Sequence, residues 1–192
     1  MQKKEDPKVL YVTDRREWRK WLEANFQSEK EIWLLLPKKA SGKKVILYND
    51  AVEEALCFGW IDSIQKRYNE ESNIQRYSIR SPKSSYSQLN KERIKWLYNQ
   101  DMIHYSIMDS IRFILDEEYQ FPEDIMQELR KDPVVWENYN RFSDSYKRIR
   151  IAYIDHSRIN PEHFALRLRN FIEKTRENKQ IKGYGGTDKY YE

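Results

Sequence analysis

The chain has 192 residues, enough to bury a substantial core in one large domain or two small ones. Charged residues make up 34% of the sequence and aromatic residues 14%, and the aromatic content excludes an intrinsically disordered chain. The single cysteine, Cys57, excludes an intrachain disulfide. Residues Met1–Pro7 lack the apolar stretch of a secretory signal, and the longest apolar run is too short to span a bilayer. We therefore expect a cytoplasmic protein with no membrane insertion.

The first predicted elements are a helix and a buried strand. Thr13 or Asp14 caps the helix, because Asp14 and Glu17 have the spacing of a capping box. Its buried face is predicted from three apolar residues at helical spacing, namely Trp18, Trp21 and Leu22. The continuous apolar run Ile32–Leu36 predicts a strand that is covered on both faces. Val45–Tyr48 is interpreted as a second, short extended segment.

A second helix and a hairpin follow. Asp50 and Glu53 again have the capping-box spacing, and Gly59 is predicted to end this helix. The segments from Trp60 to Tyr68 and from Ile74 to Ile79 are interpreted as strands joined by a polar turn, which predicts an antiparallel hairpin.

Beyond Ser87 the pattern is helical. Asp132-Pro133 and Asn160-Pro161 each place a capping side chain before a proline suited to the first helical position. The predicted fold class is α+β, with a small, mainly antiparallel sheet and packed helices followed by an all-helical C-terminal part. We predict a mixed N-terminal part over residues 1–118, the helical part over 121–182 and a flexible tail over 183–192.

Several strings resemble one known family. Tyr48–Ser63, which contains Cys-Phe-Gly-Trp-Ile-Asp, resembles the signature of the YdeI/OmpD-associated, or bacteriocin-protection, family. Arg76–Arg80 and Ser84–Asn90 resemble two shorter family strings, and residues 122–182 resemble the family's helical tail. Ile79 stands where the family has proline and Tyr86 where it has tryptophan, so the chain resembles a divergent member. The resemblance implies protection against bacteriocins or cationic peptides, and the family name alone implies association with a porin.

One polar set is the candidate ligand site. If the hairpin forms, Asp62 and Arg80 approach each other near its open end, close to a helix N-terminus that suits an anion. The alternative is that Arg80 pairs with Asp62 while a serine caps the helix. The candidate ligand-binding residues are Trp60, Asp62, Arg80, Ser84, Ser87 and Asn90.

Basic residues are concentrated in the C-terminal helices. Residues 141–182 hold 11 Lys or Arg and 5 Asp or Glu, so this region can attract an anionic partner. Phosphate binding requires the basic residues on one face, whereas these are spread around the helices, so nucleic acid is an alternative partner that we do not favour. The candidate basic face comprises Lys147, Arg150, Arg158, Arg167 and Arg169.

No spacing of residues indicates catalysis. Glu53 and Glu54 are adjacent and do not face each other on a helix, and Cys57 has no histidine near it in the sequence. One cysteine cannot build a structural zinc site, and no glycine-rich phosphate loop is present. We therefore predict no catalytic residue, no metal and no cofactor. The leading hypothesis is a stress-protection protein that binds a small anion or a protein partner; an enzyme of unknown class is a further alternative.

Overall fold

The protein, described by a computed structural model over residues 7–183 and 187–191, has the predicted α+β fold. Its first part contains four strands and two helices: β1 (Val9–Leu10), α1 (Arg15–Asn25), β2 (Glu31–Pro37), α2 (Tyr48–Cys57), β3 (Trp60–Arg67) and β4 (Ser72–Ile79). Helices follow: α3 (Gln88–Asn99), α4 (Met108–Asp116), α5 (Glu123–Arg130), α6 (Pro133–Arg141), α7 (Asp144–Asp155) and α8 (Pro161–Arg176).

The four strands form one sheet in the order β1-β2-β4-β3. The predicted hairpin of β3 and β4 is confirmed, and β2 pairs antiparallel with β4 on its other side. Strand β1 pairs in parallel with β2 and was not predicted from the sequence. At two residues it is too short to show any alternation of apolar and polar side chains.

One face of the sheet packs against α1. Tyr77 of β4 lies opposite Ile32 of β2 and has its ring 5.4 Å from that of Trp18 on α1. Trp60 of β3 is buried on the same face, and its ring lies 5.8 Å from that of Trp21. The apolar stripe predicted for α1 therefore covers the sheet.

The two predicted capping boxes have different outcomes. Asp14 caps α1 and accepts hydrogen bonds from the backbone N–H groups of Arg16 and Glu17, as predicted. Asp50 does not cap α2, because that helix begins at Tyr48 and its N-cap, Leu47, offers no side-chain hydrogen bond. Tyr48 is accordingly helical and not part of an extended segment. Asp50 lies in the first turn, where a carboxylate is favoured by the helix dipole.

Gly59 follows the C-cap of α2 and prevents the helix from continuing, as the sequence predicts. Its φ of 73° lies in the left-handed region, which glycine adopts without a side-chain clash. A Cβ atom at this position would lie 3.3 Å from the Cγ2 atom of Ile107. This turn reverses the chain so that β3 can enter the sheet directly after α2.

The chain divides into two compact units, and each unit contains two separate stretches of the sequence. The sheet unit contains the described residues up to Ser85 together with Leu97–Arg112, and the helical unit contains Tyr86–Trp96 together with the described residues from Phe113 onward. The division falls within α3 and within α4. The sequence instead predicts a single cut near residue 120.

The helical unit is built around aromatic side chains. Tyr146 of α7 and Phe171 of α8 are buried at its centre, and α6 and α8 begin at the predicted caps Asp132 and Asn160. Within the segment predicted as a flexible tail, residues 184–186 and 192 lie outside the described residues. Tyr190 and Tyr191 of this segment are buried and join the core, so the described part of the tail is packed.

The two glycines with positive φ allow a matched test of packing at Gly59. Gly42 has a φ of 66° and no atom within 4 Å of an added Cβ, whereas Gly59 would meet Ile107. Gly42→Ala should cost about 1 kcal/mol from backbone strain alone. Gly59→Ala should cost clearly more in urea-induced unfolding. Equal losses would show that Ile107 yields without penalty.

Candidate functional site

The predicted ligand-site residues of the sheet unit have separate local partners. Trp60 is buried and donates from its indole nitrogen to the carbonyl of Phe26 at 3.2 Å. Asp62 accepts a hydrogen bond from the Tyr48 hydroxyl at 3.0 Å. Arg80 donates to the backbone carbonyls of Ser84, at 3.1 Å, and Ser85. The structure thus gives Asp62 and Arg80 different hydrogen-bond partners, and Ser84 contributes a backbone carbonyl.

Ser87 and Asn90 belong to the helical unit, at the start of α3. The Ser87 hydroxyl accepts a hydrogen bond from the Asn90 backbone N–H at 3.3 Å, which is the geometry of an N-cap. The Asn90 side-chain oxygen accepts from Arg93 at 2.8 Å. Ser87 therefore caps the start of α3, which is one part of the alternative that the sequence left open.

Four of the five candidate basic residues are engaged inside the helical unit. Arg158 pairs with Asp124 and Asp155, and Lys147 pairs with Asp144. Arg150 donates to the Tyr191 hydroxyl at 2.6 Å, and Arg167 donates to the Tyr153 carbonyl at 3.0 Å while covering its ring. Arg169 is exposed. The set therefore does not present one unengaged basic face.

A buried arginine–carboxylate cluster in the sheet unit was not predicted. Glu54 of α2 accepts from Arg15 through one oxygen, with a closest distance of 2.6 Å, and from Arg19 through the other at 2.9 Å. Glu53 is also fully buried, with its Oε2 atom 3.6 Å from Arg15. Arg19 donates further to the carbonyl of Met102 at 3.0 Å. The predicted capping role of Glu53 is therefore wrong.

The sequence did contain a signal for this cluster. Arg15 and Arg19 are four residues apart on α1 and flank the buried Trp18, so both side chains lie near the buried face. Asp50 and Glu54 have the same spacing on α2. Two helices that carry opposite charges at matching spacing can pair along their length, although the sequence does not show that they are neighbours.

Cys57 lies beside this cluster and is buried, as predicted for a small core residue. Burial raises the pKa of its thiol to about 12, and the nearby Glu54 carboxylate acts in the same direction. A cysteine acts as a nucleophile in its thiolate form, and this environment disfavours that form.

A surface groove lies between α5 and α8 in the helical unit. Its volume is about 470 Å³. The floor is apolar and is formed by residues of α8 that recur at helical spacing, namely Phe164, Ala165, Leu168 and Ile172. Phe164, Leu168 and Ile172 are half-buried and also pack on the core of the unit, so the floor is fixed in position.

Charged side chains line both walls of the groove. On the α5 wall, Asp124 forms two hydrogen bonds of 2.8 Å with Arg158, which holds the pKa of the Asp124 carboxyl below its usual range. On the α8 wall, Arg169 and Glu173 have no ion-pair partner among the described residues. An apolar floor between charged walls suits an amphipathic partner.

The described residues also bear on metal binding and on membrane insertion. Among residues 7–183 and 187–191, no three histidine, cysteine, aspartate or glutamate side chains are arranged to hold a metal ion. Within the same residues, no helix is both long enough and apolar enough to cross a bilayer.

Comparison with protein families identifies the class. Residues 10–110, more than half of the chain, match the family described as a domain of unknown function, DUF8412, and the chain belongs to that family. Residues 118–178 match the family described as bacteriocin-protection, YdeI or OmpD-associated. The C-terminal part of the chain is thus similar to the YdeI/OmpD-associated family. No curated protein and no solved structure matches the chain.

The segments that resemble the YdeI/OmpD-associated family fall into two different family matches. The resemblance of residues 122–182 to the helical tail of the YdeI/OmpD-associated family is confirmed by the match over 118–178. The strings Tyr48–Ser63, Arg76–Arg80 and Ser84–Asn90 lie within the domain of unknown function. The groove residues, from Asp124 to Arg176, all lie within the YdeI/OmpD-associated match.

The buried cluster predicts a large stability difference between two glutamates that contact Arg19. Glu54→Gln removes a buried charge and leaves two arginines without their main partner, which should destabilise the protein by about 3 kcal/mol. Glu23 forms a half-exposed pair with Arg19, so Glu23→Gln should change stability by less than about 0.5 kcal/mol. Urea titrations would measure both. A loss of similar size for both variants would contradict the cluster's role.

The raised pKa of Cys57 predicts an inert thiol. At pH 8 the native protein should react very slowly with a thiol reagent such as 5,5′-dithiobis(2-nitrobenzoate), because almost no thiolate is present when the pKa is about 12. Addition of denaturant should restore rapid, stoichiometric labelling. Rapid labelling of the folded protein would instead show an accessible, activated cysteine.

Proposed function

We propose that this chain is a bacteriocin-protection protein that acts in the cytoplasm by binding a helical segment of a protein partner in the α5–α8 groove. The observation that carries the proposal is the groove itself, since its apolar floor and charged walls lie entirely within the YdeI/OmpD-associated match. The proposed role of the groove is to bind a partner and not to catalyse a reaction.

The dimensions and spacing of the groove support a helical ligand. Its volume of about 470 Å³ falls within the usual range of about 300–1,000 Å³ for ligand pockets. Phe164, Leu168 and Ile172 recur every four residues, so they form a ridge about 12 Å long on α8. An amphipathic helix lays apolar side chains at similar intervals into such a groove.

The charges on the walls would orient the partner. Arg169 and Glu173 lie one turn apart on α8 and have opposite signs. A bound helix with an acidic residue near Arg169 and a basic residue near Glu173 would be favoured in one direction only, because the reversed helix would bring like charges together. This gives the groove a means of selecting its partner.

Two other predicted functions receive less support from the contacts. Binding of a small anion near Arg80 and Ser87 would compete with the carbonyl contacts of Arg80 and the capping contact of Ser87. Nucleic-acid binding would require Lys147, Arg150, Arg158 and Arg167 to leave their present partners.

Adjacent residues of α8 provide a matched test. Ala165 lines the groove and is exposed, so Ala165→Trp should fill the groove without removing a core contact. Leu166 is exposed and is not part of the lining, so Leu166→Trp is the control. In bacteria challenged with a pore-forming bacteriocin, expression of the natural chain should raise survival. Ala165→Trp should abolish that gain and Leu166→Trp should retain it.

A binding measurement tests peptide binding in the groove independently of bacterial survival. A fluorescein-labelled amphipathic peptide of about 14 leucine, lysine and glutamate residues should show increased polarisation with the natural chain and with Leu166→Trp, but not with Ala165→Trp. Melting temperatures should agree among the three proteins. Survival that does not depend on the natural chain, or equal survival with both variants, would refute the proposal.

A further inference from the structure

A β-bulge in β3 brings polar side chains onto one face of the sheet unit. Asp62 lies opposite Tyr77, and Gln65 lies opposite Gln75, so two residues of β3 face only one residue of β4 between these pairs. Asp62 and Gln65 are three residues apart and would point to opposite faces of a regular strand. Because the bulge adds one residue to β3, the side chains of Asp62 and Gln65 lie on the same face of the sheet.

The register extends this polar surface along β4. Residues at alternate positions of a strand share a face, so Asn73 and Gln75 lie on the same side as Tyr77. Gln65 is paired with Gln75, and Arg67 is paired with Asn73. Because Tyr77 contacts Trp18, this is the helix-bearing side of the sheet.

Tyr48 joins the surface from the first turn of α2. Its hydroxyl donates to Oδ2 of Asp62 at 3.0 Å, and the Gln75 amide donates to the same oxygen at 3.5 Å. The Gln75 amide also donates to the carbonyl of Ser63 at 3.2 Å. These bonds hold the Asp62 carboxylate in place, and its Oδ1 atom accepts no hydrogen bond from another described residue.

The chemistry of this surface favours a neutral ligand. Asp62 disfavours an anion and Arg67 disfavours a cation, whereas the amides of Gln65 and Asn73 each contain both a donor and an acceptor. Tyr48 is 46% exposed, and an aromatic side chain can pack against an apolar face of a ligand. Sugar rings match this combination, since they carry hydroxyls that both donate and accept and an apolar C–H face.

We propose that Tyr48, Asp62, Gln65 and Asn73 form a binding site for a neutral carbohydrate, with the buried Gln75 holding Asp62 in position. The Asp62 carboxylate accepts from a hydroxyl group, the amides of Gln65 and Asn73 bind neighbouring hydroxyls, and Tyr48 contacts the C–H face of the ring. The site lies in the sheet unit and uses none of the groove residues, so it stands independently of the proposed partner binding.

Side-chain amide signals provide a direct test. In ¹H–¹⁵N NMR spectra of the full chain, the NH₂ signals of Gln65 and Asn73 should shift and saturate as a member of a panel is added: glucose, mannose, galactose, N-acetylglucosamine, maltose or chitobiose. Gln65 is exposed, so Gln65→Ala should leave the fold intact and weaken binding by about tenfold. Lys66→Gln, which changes the opposite face of the same strand, should bind as the natural chain does.

Three results would overturn the carbohydrate site. These are the absence of amide shifts with every sugar of the panel, equal sugar affinities for Gln65→Ala and the natural chain, or shifts caused by arginine hydrochloride or phosphate and not by sugars. Ala165→Trp should bind the sugar normally. Failure at this site and failure of the groove are therefore separate outcomes.

Discussion

The packing of the sheet unit depends on a charge held in its interior. Glu54 is buried on α2, and removing a carboxylate from water costs several kcal/mol unless its oxygens are paired. Arg15 and Arg19 each bind one of those oxygens, so α1 must lie along α2 at the spacing of one helical turn. With α1 fixed in this way, Trp18 reaches Tyr77 and the helix covers the sheet.

The helical unit contains a related interaction on a different pair of helices. Glu92 of α3 is buried, and Arg148 of α7 binds both of its oxygens, at 2.6 and 2.9 Å. Aromatic packing around Tyr146 and Phe171 supplies the apolar part of this core. In both units, a buried carboxylate on one helix is bound by arginine from another helix, and removal of either partner would leave an unpaired buried charge.

The two surfaces proposed for binding have different structural origins. The α5–α8 groove follows from an apolar stripe on α8 that is wider than the core can cover, so Phe164, Leu168 and Ile172 remain half-buried. The polar surface of the sheet unit follows from the bulge in β3, which turns Asp62 and Gln65 to one side. The first lies in the YdeI/OmpD-associated match and the second in the domain of unknown function.

The sequence by itself determined the local elements, because capping side chains and apolar spacing act within a few residues. The cap at Asp14, the end of α2 near Gly59, the hairpin of β3 and β4 and the caps at Asp132 and Asn160 were all predictable. Only the tertiary structure decided that Glu53 and Glu54 are buried, that Tyr191 joins the core and that Asp62 meets Tyr48. Each of these depends on which segments pack together, and contacts between residues far apart in the chain leave no periodic signal in the sequence.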